Sequence, residues 1–288
     1  MKRLRQVGIA CVVGLMASTS WVALADTAWG QAATPAPTAA QDGPMSRNEV
    51  AERLNIVPVF TIVGKDGAPV LANIPRDGKQ VQVASFWLDQ NQANAVIEQI
   101  KKTSPDIASQ AQVVPMSLGY AYQMAEGEKP AGLDIVFQVL PGEGEAKTAL
   151  ELAKKSGESI TEFPGVPLFY GISETGGLLT VEREGVEIIP FFFSATDLQN
   201  ALQRMSGENA DVVKQARIEV TSLAQVVDQM LDGNAKSEVR KIAFVPARSA
   251  LEYIQKLPPG QQTGLDPISR EAAGIRNSAP VQVPGAQP

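Results

Sequence analysis

The feature that most constrains the fold of this chain is an internal repeat. IVPVFTIVGKDGAPVL matches GVPLFYGISETGGLLT and aligns Pro58 with Pro167 and Phe60 with Phe169, at a spacing of 109 positions. Later segments repeat at a spacing of 105 positions: QAQVVPMSL matches QARIEVTSL, and FQVLP matches IAFVP. Turns tolerate the insertions that change such a spacing. We therefore expect the chain to fold as two like units.

A further pair of matching segments contains most of the clustered aromatic residues. VASFW aligns with IPFFF at a spacing of 106, which places Phe86 on Phe192 and Trp87 on Phe193. Side chains of a strand alternate between its two faces, so Phe191 and Phe193 are expected on the buried face and Phe192 on the other. A sheet with two apolar faces is either covered on both sides or leaves an apolar groove on one.

The helical periodicity of apolar residues repeats along with these segments. Apolar residues at i, i+3, i+4 and i+7 form one stripe of a helix. Two such stripes and their counterparts 105 positions later are Ala93, Val96, Ile97, Ile100 with Leu198, Ala201, Leu202, Met205, and Leu118, Ala121, Tyr122, Ala125 with Leu223, Val226, Val227, Met230. Ser46 with Glu49, and Ser194 with Asp197, resemble capping boxes that begin helices.

The predicted fold class is mixed α/β, with two similar repeated halves at about 50–155 and 160–257. Each half is expected to contain three strands, helix, strand, helix, strand, helix, with a small sheet covered by helices and nonpolar grooves. Pro58 and Pro167 indicate strand starts or edge strands, because proline cannot donate to a strand ladder. The capping box at Ser46 predicts one extra helix ahead of the first half.

The first 25 residues have the pattern of a secretory signal peptide. A basic start is followed by an apolar stretch and by small residues at Ala23 to Ala25, so we expect cleavage before Asp26. An uncleaved membrane anchor is the alternative, since the stretch is nearly long enough to span a bilayer. Cleavage would remove three basic residues and leave the mature chain more acidic.

The remaining boundaries follow from composition. Residues 26–44 are rich in Ala, Pro and Thr without periodicity, which predicts a flexible linker. Residues 258–288 are similar and predict a disordered tail. The two-repeat α/β domain is therefore expected at 45–257.

Composition also excludes several kinds of chemistry. The chain has no histidine, and its single cysteine, Cys11, lies in the signal, which excludes Ser-His-Asp and Cys-His catalysis and histidine zinc sites. A net charge of -6 without a basic cluster beyond the N-terminus argues against nucleic acid. Neither a phosphate loop nor a calcium loop is present, so no cofactor or metal is predicted. Asp89, Asp197 and Glu219 are candidates for a paired-carboxylate hydrolase, but caps and exposed faces favour ordinary surface charge.

The secretory segment, VPVF with its counterpart VPLFY, FFFSATDLQNAL and the later FVP together resemble the Tic22 family, first named for the translocon at the inner chloroplast envelope. The resemblance covers residues 50–257. It implies a two-lobed α/β fold with nonpolar pockets and a non-catalytic role in protein transport. The bacterial-style signal is similar to that of the cyanobacterial branch, which implies the periplasm or the thylakoid lumen and a role in outer-membrane biogenesis.

The expected function is that of a periplasmic, chaperone-like transport factor that holds unfolded preproteins or outer-membrane protein precursors. The resemblance also implies outer-membrane barrel-assembly proteins as partners. Apolar surface rimmed by charge is what such a binder needs. The candidate client-binding residues are Phe60, Phe86, Trp87, Phe169 and Phe192. The alternative for these residues is that they are buried in the hydrophobic core. A periplasmic small-ligand-binding protein is the alternative, because pockets between lobes also suit small molecules.

Overall fold

The structure, a computed structural model, describes residues 43–76, 78–127, 135–174, 176–183, 185–205, 216–235, 237–258 and 281–282. The predicted signal, almost all of the predicted linker and most of the predicted tail lie outside these ranges. In the part of the chain that the structure describes, no helix combines the length and the apolar character that crossing a membrane requires.

The described residues form helices and strands in the alternation predicted from the repeat. In chain order they are α1 (Arg47–Leu54), β1 (Pro58–Val63), β2 (Leu71–Arg76), β3 (Lys79–Trp87), α2 (Gln90–Thr103), α3 (Pro105–Ala108), β4 (Gln112–Ser117), α4 (Leu118–Glu126), β5 (Ile135–Leu140), α5 (Glu145–Lys155), β6 (Pro167–Ile172), β7 (Thr180–Arg183), β8 (Val186–Phe192), α6 (Ala195–Met205), β9 (Arg217–Ser222), α7 (Leu223–Leu231), a 3-10 helix (Ser237–Lys241), β10 (Ile242–Val245), α8 (Arg248–Lys256) and β11 (Val281–Gln282).

Two sheets with the same strand order confirm the predicted fold class. In the first sheet the order is β2-β3-β1-β4, and β5 pairs with β3. In the second sheet β7-β8-β6-β9 follow the same order, and β10 pairs with β8. β5 and β10 are parallel to their partners, and the remaining neighbours are antiparallel. Within the predicted tail, β11 pairs with β7.

The pairing registers give the true spacing of the repeat in the aromatic strands. Phe60 pairs with Trp87, and Phe169 pairs with Phe192. Trp87 is therefore the counterpart of Phe192, at a spacing of 105, and the alignment of Trp87 with Phe193 is wrong by one residue. The difference matters, because a shift of one residue moves a side chain to the other face of a sheet.

The two prolines begin β1 and β6, which confirms the prediction of strand starts. Both strands are central in their sheets, not edges. Pro58 pairs with Ser117, and Pro167 pairs with Ser222. Each serine side chain then accepts a hydrogen bond from a backbone N–H in the next turn and caps the helix that follows, α4 or α7.

Core residues cover most of both faces of the first sheet. Phe60, Ile62 and Trp87 pack with Ala93 and Ile97 of α2 in one cluster. The opposite face supplies buried residues to a larger core cluster, which also contains residues of the second half. Most of both faces is therefore covered, and an apolar groove remains beside β3 and β5.

The last helix of each half packs against the sheet of the other half. α5 packs against β6 and β9, and α8 packs against β1. The rings of Phe60 and Tyr253 meet edge to face, with centroids 5.3 Å apart. TALELAKK of α5 matches SALEYIQK of α8 in sequence, so the exchange belongs to the duplication itself. Each half therefore depends on the other to cover its sheet.

α1 has no counterpart in the second half. Its predicted capping box is confirmed: Ser46 N–H donates to the Glu49 carboxylate at 2.7 Å, and Glu49 N–H donates to Ser46 Oγ at 3.2 Å. The segment between α5 and β6, which would correspond to α1, contains no helix. α1 buries Val50, Ala51 and Leu54 completely or almost completely.

Candidate functional site

An apolar groove of about 430 Å³ is lined by α4 and α7, the equivalent helices of the two halves. We call it the α4/α7 groove. Its apolar lining comes from α4, α7, α1, β3, β5 and the loop before β6, and consists of Leu118, Ala121, Tyr122, Ala125, Leu223, Ala224, Val227, Leu231, Leu54, Phe86, Phe137, Val139 and Val166. The repeat thus places two copies of one helix on a shared apolar site.

Equivalent hydrogen bonds hold the two helices in place. Leu118 N–H donates to the Val57 carbonyl at 2.7 Å, and Leu223 N–H donates to the Val166 carbonyl at 2.8 Å. Each bond ties the start of a helix to the residue just before the central strand of its half. The position of the groove walls is therefore fixed by the same contact on both sides.

Aromatic residues of β3 and β5 contribute to the lining. The rings of Phe86 and Phe137 stack with centroids 6.0 Å apart and an interplanar angle of 12°. Phe86 is fully buried, whereas Phe137 is half-buried. Phe137 and the half-buried Tyr122 therefore present most of the aromatic surface that a bound molecule would touch.

Charged residues accompany this apolar surface. Arg47 of α1 forms an ion pair with Glu126 of α4, and Asp228 of α7 is exposed. The pair itself adds little stability, since exposed ion pairs contribute about 0–1 kcal/mol. The groove therefore has a largely apolar lining to which Arg47, Glu126 and Asp228 add charged side chains.

α1 forms one wall of the groove and packs closely on α4. Gly119 allows this approach, because a Cβ at that position would overlap the carbonyl oxygen of Ala51 and the side chain of Asn55. Ser117 Oγ also donates to Asn55 Oδ1 at 2.9 Å. The contact between α1 and α4 therefore depends on the absence of a side chain at position 119.

The other side of α1 is bound to the second half. Met45 N–H donates to the Met230 carbonyl at 2.7 Å. The Arg53 guanidinium donates to the carbonyls of Ile242 at 3.1 Å and Arg240 at 2.8 Å. α1 thus connects the halves.

A further ion pair joins Arg240 to Glu49 of α1 at 2.9 Å. The hydrogen bond from the Ser46 backbone and then the Arg240 guanidinium lower the pKa of Glu49 from its ordinary 4.5 to about 2. The capping box and the connection between the halves therefore share one carboxylate.

The five aromatic residues predicted to bind clients are all buried, with at most 9% of their surface exposed. Phe86 lines the α4/α7 groove, whereas Phe60 and Trp87 lie in the cluster beside α2, away from it. Phe169 and Phe192 pair with each other in the second sheet. The structure does not bring the five together, and their role in client binding stays a prediction.

The exposure expected for Phe192 is not found. Phe191, Phe192 and Phe193 are 6%, 8% and 3% exposed. Phe192 pairs with Phe169 on one side and with Val245 on the other, so it lies in a strand with neighbours at both edges. The whole phenylalanine run is core.

Sequence reasoning missed Tyr122 and Val227 as groove residues. Both belong to helical stripes, which predict burial, yet both are only half-buried and line the groove. They are counterparts at the 105-residue spacing. The sequence pattern that indicates them is the pair of equivalent apolar stripes, because two such helices can line one shared apolar surface.

The acids considered for catalysis have structural partners. Asp89 caps α2 by accepting from Asn91 N–H at 2.9 Å, and Asp197 accepts from Arg248 N–H at 2.7 Å. Glu219 accepts from Ser156 Oγ at 2.7 Å. Within the described ranges, no three His, Cys, Asp or Glu side chains cluster as a metal site would require.

Glu145, which begins α5, is a half-buried carboxylate. It accepts from Ala195 N–H at 3.1 Å, at the start of α6. Burial raises the pKa of Glu145 above its ordinary value, although the Ala195 and Ser194 hydrogen bonds act in the opposite direction. The contact joins the last helix of the first half to the first long helix of the second half.

Two plant proteins are similar to this chain in sequence. Protein TIC 22, chloroplastic, of Pisum sativum is 28% identical over 203 residues, which cover 70% of this chain and 74% of that protein. Protein TIC 22-like, chloroplastic, of Arabidopsis thaliana is 25% identical over 231 residues, which cover 78% of this chain and 69% of that protein.

Two solved structures share the fold. Anabaena Tic22, described as a protein of protein transport, matches with a TM-score of 0.64 and 23% identity, over 74% of this chain and 98% of that one. Tic22 from Plasmodium falciparum matches with a TM-score of 0.55 and 21% identity, over 73% and 98%. Residues 6–257 match the Tic22-like family. The chain therefore belongs to the Tic22-like family.

Proposed function

We propose that this protein is a non-catalytic protein transport factor that holds unfolded polypeptides in the α4/α7 groove. The observation that carries the proposal is the groove itself: an apolar site built from two copies of one helix, with charged residues around it. Membership of the Tic22-like family and the description of Anabaena Tic22 support it.

The chemistry of the groove suits a reversible hold on many sequences. Covering a Val, Leu or Phe side chain completely stabilises a complex by about 1.5–3 kcal/mol. Half-buried residues such as Tyr122, Val227 and Leu231 can gain only part of that amount. Ordering a flexible client offsets a share of it. The expected result is weak binding that a client can leave.

We further propose that the protein acts outside the cytoplasm, in the periplasm or the thylakoid lumen, after cleavage of residues 1–25. The basic start, apolar stretch and small residues before Asp26 support export. The clients would be preproteins or outer-membrane protein precursors, and barrel-assembly proteins would be partners. Sequencing the N-terminus of the native protein tests this: a start near Asp26 is expected, and Met1 retained in a membrane fraction would contradict it.

Two tyrosines of α4 provide a matched test of the groove. Tyr122 lines it, whereas Tyr120 is 54% exposed and lies outside it. We expect Tyr122→Ser to weaken the suppression of aggregation of a urea-unfolded outer-membrane protein, measured by light scattering. Tyr120→Ser should leave suppression unchanged. Equal activity of both variants and the wild type would refute the assignment of the groove.

A small-ligand-binding protein remains the second candidate, because a groove of about 430 Å³ falls within the range of small-molecule sites. Native mass spectrometry of the protein isolated from its source separates the two functions. Bound polypeptides favour the transport factor, and a stoichiometric small molecule favours the ligand-binding protein.

A further inference from the structure

The α4/α7 groove corresponds, through the internal repeat, to the surface on which α1 packs. α1 contacts α4, α7 and β10. Because the repeat exchanges α4 with α7 and β10 with β5, the corresponding surface consists of α7, α4 and β5. Those three elements line the groove. In the described part of the chain, no helix occupies that second surface.

Individual residues support the correspondence. Gly119, where α1 touches α4, has Ala224 as its counterpart, and Ala224 lines the groove. Val57 follows α1 in the chain, and its carbonyl accepts the hydrogen bond from the start of α4. Its counterpart is Val166, whose carbonyl accepts from the start of α7. Val166 and the adjacent Gly165 also line the groove.

The strand contacts agree as well. Arg53 of α1 donates to the carbonyl of Ile242 in β10. Ile242 and Phe244 of β10 correspond to Phe137 and Val139 of β5, as the parallel registers with β8 and β3 require. Phe137 and Val139 both line the groove.

We propose that the groove binds a short amphipathic helix of the client, placed as the repeat would place a second α1. The proposal rests on the proposed function and specifies the conformation that the client adopts. α1 shows the dimensions of the ligand: about two turns, with a buried stripe like that of Val50, Ala51 and Leu54. Recognition of a helix by such a stripe is a known mode of peptide binding.

Two features of the groove define the client further. Asp228 is exposed at the groove and favours a basic side chain on the bound helix. Ala224 carries a methyl group where Gly119 carries none, so a client helix cannot approach α7 as closely as α1 approaches α4. α1 is also fixed by its chain connection and by the Arg53 hydrogen bonds, whereas a client helix has neither and can exchange.

A labelled synthetic peptide with the sequence of residues 45–56, MSRNEVAERLNI, is the probe, and fluorescence anisotropy with the mature protein is the measurement. One control peptide replaces Val50 and Leu54 with Ser, and a second replaces Ala51 with Pro to prevent a helix. Loss of the apolar stripe or of the helix should each weaken binding at least about tenfold.

Protein variants show whether the peptide occupies the groove or merely displaces α1. Ala224→Trp should abolish binding, and Ala224→Gly should tighten it several-fold, because it restores the close approach seen at Gly119. Gln229→Trp, on the exposed outer face of α7, is the matched control and should have no effect. Displacement of α1 would be insensitive to all three variants and would overturn the proposal.

The outcomes also separate this inference from the proposed function. If the proline peptide binds as well as the parent peptide and Ala224→Trp removes both, the groove holds extended chains and only the helix inference fails. If an unfolded client is held but Ala224→Trp does not affect it, the helix inference again fails. If neither peptides nor unfolded clients bind, both proposals fail.

Discussion

α4 and α7 are two copies of one helix with different surroundings. α4 is covered by α1, which packs on Gly119 and leaves that glycine buried. The corresponding position on α7 is Ala224, which is exposed at the groove. Duplication created two similar apolar surfaces, and α1 fills one of them. The comparison indicates that one copy stabilises the fold while the other is available for binding.

The difference also shows how the halves are kept together. α1 contacts the first half through Gly119 and the second half through Arg53 and Met45. α5 and α8 add to this, because each packs on the sheet of the opposite half. The open groove is therefore surrounded by elements that belong to one cooperative structure.

The largest effect is expected from the paired central phenylalanines. Phe60 and Phe169 are both fully buried and occupy equivalent places in β1 and β6. Truncating either to Ala should cost about 3–5 kcal/mol, as for other large core residues. Because the last helices are exchanged, each variant should still unfold in one transition in urea. Two separate transitions, or a cost at only one site, would contradict the equivalence of the halves.

A second, smaller effect should distinguish the two helices directly. Gly119→Ala places a methyl group against the carbonyl of Ala51 and should destabilise the protein by about 1–3 kcal/mol through overpacking. Ala224→Ser, at the counterpart on α7, should change the free energy of unfolding by only about 0.5 kcal/mol. Thermal melts of both variants provide the measurement. Similar melting temperatures would mean that α1 does not depend on Gly119.

The pH dependence of stability tests the anchor of α1. The pKa of Glu49 is lowered from 4.5 to about 2 by the Ser46 backbone and Arg240. Its contribution is therefore present above pH 4.5 and is lost as the pH falls toward 2. Glu49→Gln should be less stable than the wild type at pH 7, and the difference should shrink as the pH falls through that range.

Melting temperatures measured from pH 7 to pH 2.5 provide the comparison for Glu49→Gln. Glu52→Gln removes a carboxylate from the exposed face of the same helix and is the matched control. A stability difference between the Glu49 variant and the wild type that stays constant down to pH 2.5 would show that Arg240 and the capping box do not act through this carboxylate.

Local sequence patterns predicted the elements of the fold better than the position of the groove. The capping box at Ser46 and the strand starts at Pro58 and Pro167 depend on neighbouring residues, and the structure has all three. The exchange of α5 and α8 between the halves depends on long-range packing. TALELAKK and SALEYIQK show that the two helices are equivalent, but not which sheet each covers.

The burial of the predicted client-binding aromatics could not be read from the sequence for a related reason. Clustered aromatics such as Phe191 to Phe193 predict apolar contacts. The pattern does not distinguish contacts with the core from contacts with a bound client. In the structure β8 has neighbours at both edges and helix α6 against it, so the phenylalanines are core. The groove instead uses half-buried residues of helical stripes, whose exposure depends on the separation of α4 from α7.

The smallest effect is expected at Trp87, and it tests whether the groove is the binding surface. In a variant that lacks residues 1–25, the only tryptophans are Trp29 and Trp87, and Trp29→Phe leaves Trp87 as the single emitter. Trp87 is 9% exposed and lies with Phe60 and Ile62, outside the groove. Peptide binding in the groove should therefore leave its emission maximum nearly unchanged. Ala125→Trp, made in a Trp29→Phe, Trp87→Phe background, places a reporter in the groove and should give a blue shift on binding. A blue shift of Trp87 without one at position 125 would instead assign binding to the cluster beside α2, and would make the covered first half the functional surface.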